Sequence, residues 1–319
     1  MSKKIMKIKK QIKELVKEYY QIKFADQKFI PGESYVRYAG RVFNEKEIHN
    51  LVDASLDFWL TEGRFTEKFQ LDFADFVDIE YAIVTNSGSS ANLLALSSLT
   101  SHLLEEKRLK PGDEIITIAA SFPTTINPII QNNLIPVFVD INLKTYNINI
   151  QELKNAVSLK TKGIFIAHTL GNPFNLDKVL EIAKENNLWL VEDCCDALGS
   201  KYNNQMVGTF GHVASCSFYP AHHITTGEGG MVFTNDDNIA KAVTSLRDWG
   251  RDCYCKYSQN NKCCKRFTNQ YGNLPQGYDY KYVYSHIGYN LKITDKQYAI
   301  GIEQMKKLPF FIEQRKSNF

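Results

Sequence analysis

Four short segments of this 319-residue chain carry residue types suited to chemistry, and each follows an apolar run. The first is Asn86-Ser87-Gly88-Ser89-Ser90-Ala91-Asn92. Small residues at the start of a helix let a phosphate approach, and free backbone N–H groups with the helix dipole then bind it. Serine and asparagine are equally ordinary helix caps, so this segment alone leaves both readings open. The second is Ser121-Phe122-Pro123-Thr124-Thr125. Phe122 could stack on a flat ring, although a lone aromatic is more often core. The third, Glu192-Asp193-Cys194-Cys195-Asp196, puts acids at the carboxyl end of a strand-like run. An acid there can keep a pyridinium nitrogen protonated and make the ring an electron sink. A solvated or capping carboxylate is the commoner role. The fourth runs from Ser217 to Gly230 and includes His222, His223 and the turn Gly227-Glu228-Gly229-Gly230. Its glycines imply tight turns and close backbone approach. Histidine titrates near neutral pH and suits proton transfer. A metal pair on adjacent histidines is disfavoured, because neighbouring side chains point apart.

Cysteines form a further set. Of seven, four fall within Cys253, Cys255, Cys263 and Cys264, and Cys194 and Cys195 adjoin Asp193. Four thiolates could hold zinc or an iron–sulfur cluster, and the C-x₂-C spacing common in zinc sites is absent. Cys216 reads as a small buried residue on a strand.

The elements that must position these residues alternate. Tyr81–Thr85, Glu114–Ala119, Pro136–Asp140, Gly163–His168, Leu188–Glu192, Ala214–Phe218 and Gly230–Thr234 read as strands. Helical patterns at Ser89–Leu104, Leu176–Glu185 and Asn238–Arg247 lie between them. Such alternation predicts an α/β fold with a mainly parallel sheet covered on both faces. In open sheets of this kind the ligand sits beyond the carboxyl ends of the strands. Ahead of the sheet, Ile5, Ile8, Ile12, Leu15, Val16 and Tyr19 fall at helical spacing against a lysine-rich face. They predict a packed amphipathic helix over residues 1–22 rather than a membrane-surface one. Asn44 and Glu47 read as a capping-box start for a helix running to Trp59. The stretch 251–284 shows no period and reads as an ordered insertion or long loop. A last helix begins at Thr294–Asp295 and runs to about Leu308.

Hydrophobic residues at 44% and charged residues at 23% are ordinary for a globular chain. A net charge of +3 is too mild to argue for nucleic acid or an anionic membrane. No apolar run approaches the roughly 20 residues of a membrane span, and no apolar signal segment is apparent. The expected compartment is the cytosol, where thiols stay reduced.

The four segments, in this order and spacing, resemble the cofactor site of the DegT/DnrJ/EryC1/StrS family of PLP-dependent sugar aminotransferases. The resemblance covers about Val42 to the end of the chain and implies the PLP-dependent transferase fold type I. By position it implies that Gly88 and Ser89 bind the PLP phosphate with help from Ser217. It places Phe122 against the ring and Asp193 on the pyridine nitrogen. Where the aminotransferases have their PLP-binding lysine, five residues after Ser217, this chain has His222, and no lysine occurs between Lys201 and Lys241. Histidine cannot hold PLP as a stable Schiff base but can abstract a proton. One branch of the family with this histidine dehydrates CDP-4-keto-6-deoxy-D-glucose at C3, on the way to 3,6-dideoxyhexoses of lipopolysaccharide O-antigen. A group within that branch also carries a [2Fe–2S] cluster on four cysteines. Its spacing of 57, one and seven intervening residues is matched by Cys195, Cys253, Cys255 and Cys263. Only that family spacing selects Cys195 over Cys194 and Cys263 over Cys264. The runs His168–Asn172 and Asp248–Cys255 also look closer to this branch than to general aminotransferases.

The resemblance thus implies PMP as working cofactor, His222 as base, a flavin/iron–sulfur reductase as electron donor, and a homodimer. Two rivals stay open: a cluster-free dehydratase or aminotransferase relative, and a non-enzymatic protein with a zinc loop at Cys253–Cys264. The expected organisation is a helical segment (1–40), a cofactor-binding domain (41–290) with the cysteine-rich insertion 251–284, and the start of a C-terminal region (291–319). The family's small C-terminal domain is expected to be mostly absent. Were the chain a fragment, its final helix would be expected to lose packing partners.

Overall fold

In the computed structural model, which describes residues 2–25, 28–255, 261 and 264–319, the seven strand-like runs form one sheet. In chain order the elements begin with α1 (Lys3–Phe24), α2 (Glu45–Asp57), α3 (Arg64–Val77), β1 (Tyr81–Thr85), α4 (Gly88–Ser98) and β2 (Glu114–Ile118). They continue with α5 (Pro123–Gln131), β3 (Ile135–Val139), α6 (Ile150–Ala156), β4 (Thr161–Ala167), α7 (Leu176–Glu185) and β5 (Trp189–Asp193). A small hairpin of β6 (Lys201–Tyr202) and β7 (Gln205–Met206) follows, then β8 (Val213–Ser217), β9 (Gly230–Thr234), α8 (Asp237–Arg247) and α9 (Asp295–Asn318). The sheet order is β1-β9-β8-β5-β4-β2-β3. The pairs β2/β3, β2/β4, β4/β5 and β5/β8 are parallel, and β9 runs antiparallel to both β1 and β8.

Side chains alternate across a strand, so each run feeds two cores. Ile116, Ile164, Leu190, Ala214 and Phe233 pack on one face with residues of α3, α7 and α9. Ile115, Phe165, Val191, Val213 and Val232 pack on the other with α4, α5 and α8. The mainly parallel sheet with both faces covered is therefore the fold observed.

The helices depart further from their sequence patterns. Phe65, Phe69, Phe73 and Val77 make the buried stripe of α3, a helix the sequence reading passed over. Its N-cap, Gly63, offers no side chain. Asp295 caps it from the far end of the chain instead, accepting from the Thr66 N–H at 2.7 Å, the Thr66 hydroxyl at 2.8 Å and the Phe65 N–H at 3.3 Å. A Cβ on Gly63 would lie 2.6 Å from that carboxylate, so glycine is needed there. The short helices α5 and α6 were also missed. The capping box at Asn44 and Glu47 is present, but α2 stops at Asp57, where Phe58 turns left-handed. The helix expected to reach Leu104 ends at Ser98. α9 continues past Leu308 to Asn318. It does not lack partners: Tyr298, Ile302, Met305 and Leu308 are buried in the first core against α3. The packed helix expected at the N-terminus also needs correction. α1 pairs with α2 through Lys9–Asp53 at 2.7 Å, but none of its residues is buried, and Leu15 and Ile22 are exposed. No described helix is long and apolar enough to cross a membrane.

Candidate active site

The register gathers the carboxyl ends of the strands on one edge. Thr85 pairs with Gly230, and Gly230 with Ser217. Asp193 lies opposite Ala167 on one side and Ser215 on the other. β1, β2, β4, β5 and β8 all finish here, so the four segments singled out above open from the same edge.

At one end stands the start of α4. Ser87 caps it, its Oγ accepting from the Ser90 N–H at 3.1 Å. The first N–H groups of a helix have no intrahelical partner, so those of Gly88 and Ser89 remain for a ligand. The two readings of this segment are thus divided among its residues. Gly88 backs onto β8: a Cβ there would sit 2.4 Å from the Ser217 Cβ. Only glycine lets Ser217 come this close to the helix start. The Ser89 hydroxyl donates to Thr124 Oγ1 at 3.1 Å and ties the segment to α5. Phe122, at the N-cap of α5, is not core: it is 68% exposed. Asn86 Oδ1 and Ser121 Oγ are buried without a protein partner. Unpaired buried polar atoms are uncommon and call for an explanation. A polar ligand at this edge supplies one. Free helix N–H groups, serine hydroxyls, an exposed ring and a nearby acid together fit a phosphorylated aromatic cofactor.

The acid is Asp193, 4% exposed at the end of β5. Asn92 Nδ2 and the Thr125 hydroxyl donate to its Oδ2 at 2.8 and 2.7 Å, and the Cys195 N–H donates to Oδ1 at 3.0 Å. Ser215 donates in turn to Asn92 Oδ1, which keeps the amide N–H₂ aimed at Asp193. Neither the solvated role nor capping alone describes this residue.

His222 lies in the turn after β8, with Nδ1 3.2 Å from Asp196 Oδ1. That bond holds the Asp196 carboxyl below the usual range. Asp196 was in the third segment, but nothing in the sequence linked it to His222; the fold makes that pair. Burial, with Arg315 and His222 nearby, pushes His223 down to about 4. His223 Nδ1 is buried without a protein partner.

Among the described residues, His168, Glu192 and Cys194 form a compact group of metal-capable side chains. Glu192 is already satisfied. Its Oε1 accepts from the N–H groups of Phe210 at 3.0 Å and Gly211 at 2.6 Å, and its Oε2 from Gly208 N–H at 2.8 Å and His168 Nε2 at 2.9 Å. This buried carboxylate is a structural hub that anchors the 208–211 turn to β5. Glu192→Gln would turn an N–H₂ toward N–H donors. It is expected to cost about 3 kcal/mol, the upper end for leaving a buried hydrogen-bonding group unsatisfied. Urea denaturation checks this, and a variant within 0.5 kcal/mol of wild type (about the scale of surface substitutions) would remove the hub role.

The cysteines divide. Cys194 and Cys216 are buried in the core, the latter as expected. Cys195 is half-buried at the edge beside Asp193. Burial and Asp193 push its thiol well up, so a metal binding there would displace a proton. Cys253 and Cys255 share one neighbour, the Tyr280 hydroxyl, at 3.1 and 3.8 Å. Cys264 is exposed, and Cys263 lies outside the described residues. The cysteines that are described are free thiols. Cys195 stands on one segment and Cys253 and Cys255 on another, all free of disulfides, and thiols as donors suit a soft metal.

Residues 43–319 match the DegT/DnrJ/EryC1/StrS aminotransferase family. The chain is 56% identical over 312 residues to lipopolysaccharide biosynthesis protein RfbH of Salmonella typhimurium, covering 98% of this chain and 71% of that one. It is 52% identical over 291 residues to a dTDP-4-dehydro-2,6-dideoxy-D-glucose 3-dehydratase of Saccharopolyspora spinosa, covering 91% and 63%. It thus spans less than two thirds of the second relative's length. Among solved structures, GDP-4-keto-6-deoxy-D-mannose-3-dehydratase of E. coli with bound hydrated PLP superposes with a TM-score of 0.79 at 33% identity, over 89% of this chain and 70% of that one.

Proposed function

The chain belongs to the DegT/DnrJ/EryC1/StrS aminotransferase family, and from that premise we propose that it removes the C3 hydroxyl of a nucleotide-linked 4-keto-6-deoxyhexose. The substrate we assign is CDP-4-keto-6-deoxy-D-glucose, and the setting is 3,6-dideoxyhexose synthesis for lipopolysaccharide. PMP and a [2Fe–2S] cluster are the cofactors, and a separate flavin/iron–sulfur reductase supplies electrons. The working form is a homodimer. The observation that carries this reading is His222, paired with Asp196 where an aminotransferase would have its lysine. The 3-dehydratase relatives and the lipopolysaccharide relative support it.

Gly88 and Ser89 would hold the cofactor's phosphate with Ser217, Phe122 its ring face and Asp193 its ring nitrogen. When bound, PMP supplies an amine able to condense with a C4 ketone and a ring able to accept negative charge. Asp193 is fixed by three donors from three directions, so its charge stays in place as the reaction proceeds. Asp196 Oδ1, 3.2 Å from His222 Nδ1, would favour a proton on that nitrogen and leave Nε2 to take one from the substrate side. His223, neutral through the physiological range, adds no competing charge beside it. Cys195, Cys253, Cys255 and Cys263 would hold the cluster, which would supply one-electron chemistry. The 3-deoxy product requires two electrons, hence the reductase.

The test is an anaerobic ultraviolet–visible spectrum of the purified chain with iron and sulfide assayed on the same sample. Turnover is then measured with CDP-, dTDP- and GDP-linked 4-keto-6-deoxy sugars and a ferredoxin-type reductase. About two irons per chain, visible absorption bleached by dithionite, and fastest turnover on the CDP sugar are expected. A cofactor band without iron would make the protein a cluster-free dehydratase. Zinc alone, with no cofactor, would leave a metal-stabilised loop and end the proposal.

A further inference from the structure

We propose that Tyr280 sets the reduction potential of the iron–sulfur centre by donating a hydrogen bond to its cysteine sulfurs, an inference that rests on the cluster assignment above. The Tyr280 hydroxyl lies 3.1 Å from Cys253 Sγ, for which it is the donor, and 3.8 Å from Cys255 Sγ. Only Tyr254 separates these cysteines in sequence. One phenol therefore faces two of the proposed ligands. Once the sulfurs are metal-bound thiolates they can only accept, so the phenol must be the donor.

The placement is built rather than incidental. Tyr280 is buried, at 6% exposure, and its ring stacks on Tyr271 with an interplanar angle of 13°. Its backbone N–H donates to the Arg266 carbonyl at 3.0 Å. Arg266 and the neighbouring Asp279 form a two-point ion pair, Nε to Oδ1 at 2.9 Å and Nη2 to Oδ2 at 2.6 Å. On the other side, Arg251 pairs with Tyr284, and the Asp252 N–H donates to the Val283 carbonyl at 2.9 Å. The segment carrying Cys253 is thus laid alongside the segment carrying Tyr280.

Hydrogen bonds to cluster sulfurs are among the levers that set the potential of an iron–sulfur centre. Such a bond draws electron density from the thiolate and favours the reduced cluster, which carries one more electron. Each reduction takes one electron from the reductase, and two such events complete one turnover. Tyr280 touches a ligand rather than the sugar, so it is a positioning and tuning residue.

The test compares wild type with Tyr280→Phe, which keeps the ring and its stacking but removes the hydroxyl. Both full-length chains are reconstituted anaerobically and assayed for iron, and the midpoint potential is measured by redox titration monitored by electron paramagnetic resonance. Equal iron and a more negative midpoint in Tyr280→Phe are expected, with slower cluster reduction by the reductase. Equal iron with an unchanged midpoint overturns the inference and leaves the cluster assignment standing. Absence of iron from wild type overturns both. Should Tyr280→Phe fail to load iron, wild type alone decides. Its Fe–S(Cys) stretching bands in the resonance Raman spectrum are expected to shift on transfer to D₂O, and unshifted bands overturn the inference.

Discussion

His222→Asn is expected to lower turnover on the nucleotide sugar by about 10²–10⁴-fold, the usual contribution of a positioned acid–base group. Asparagine keeps a polar group beside Asp196 but cannot take up a proton near neutral pH. The residues proposed to grip the phosphate and ring are elsewhere on the edge, so cofactor retention should stay close to wild type. Cofactor absorbance after desalting, compared with kcat, checks both halves. Asp196→Asn gives a finer control. An aspartate at 3.2 Å would favour a proton on His222 Nδ1 and leave Nε2 open. An asparagine can donate to Nδ1 and favour the opposite tautomer, so kcat should fall while KM changes little. Wild-type turnover in His222→Asn would remove the base assigned here, and with it the main reason for placing this chain apart from the aminotransferases.

Local patterns and distant contacts each define part of this fold, for physical reasons. Strands of a sheet buried on both faces are nearly continuous apolar runs, and all seven were found within a residue or two. The helix α3 carries as clear a stripe in Phe65, Phe69, Phe73 and Val77, yet it lacked a local start signal. Its cap is Asp295, which no short-range pattern can reveal. The same limit applies at the site. Gly88, Phe122, Asp193 and Ser217 were legible because they follow strands, and strand ends converge when the sheet is parallel. The Asp196–His222 contact, the Ser215–Asn92–Asp193 chain and the Tyr280 bridge between Cys253 and Cys255 join segments distant in sequence. Residue types named the chemistry; long-range contacts decide which atoms face it. The cysteine tie shows both sides. Spacing by resemblance chose Cys195 over Cys194; the fold adds that Cys194 is buried in the core and Cys195 lies at the sheet edge beside Asp193.

Asp193→Asn should produce the second large loss, about 10²–10³-fold in kcat, the range for removing one preorganised electrostatic contact with the reacting group. Three donors reach the carboxylate, and an asparagine would point its own N–H₂ either at the Cys195 N–H or at both Asn92 and Thr125. Asn92 cannot readily turn over to accommodate it, because its Oδ1 already accepts from Ser215. Thr125 can, by rotating its hydroxyl. The substitution therefore removes the charge at modest structural cost, on the order of 1–3 kcal/mol for one unsatisfied buried group. A purely structural role would predict a different pattern. Thr125→Val removes a donor from the same carboxylate but preserves its charge. If Asp193 works through charge, Thr125→Val should match Asp193→Asn in thermal stability loss yet retain most of its turnover. If the two variants lose turnover equally, Asp193 serves only to pack β5 against α4 and α5, and its assignment to the ring nitrogen falls.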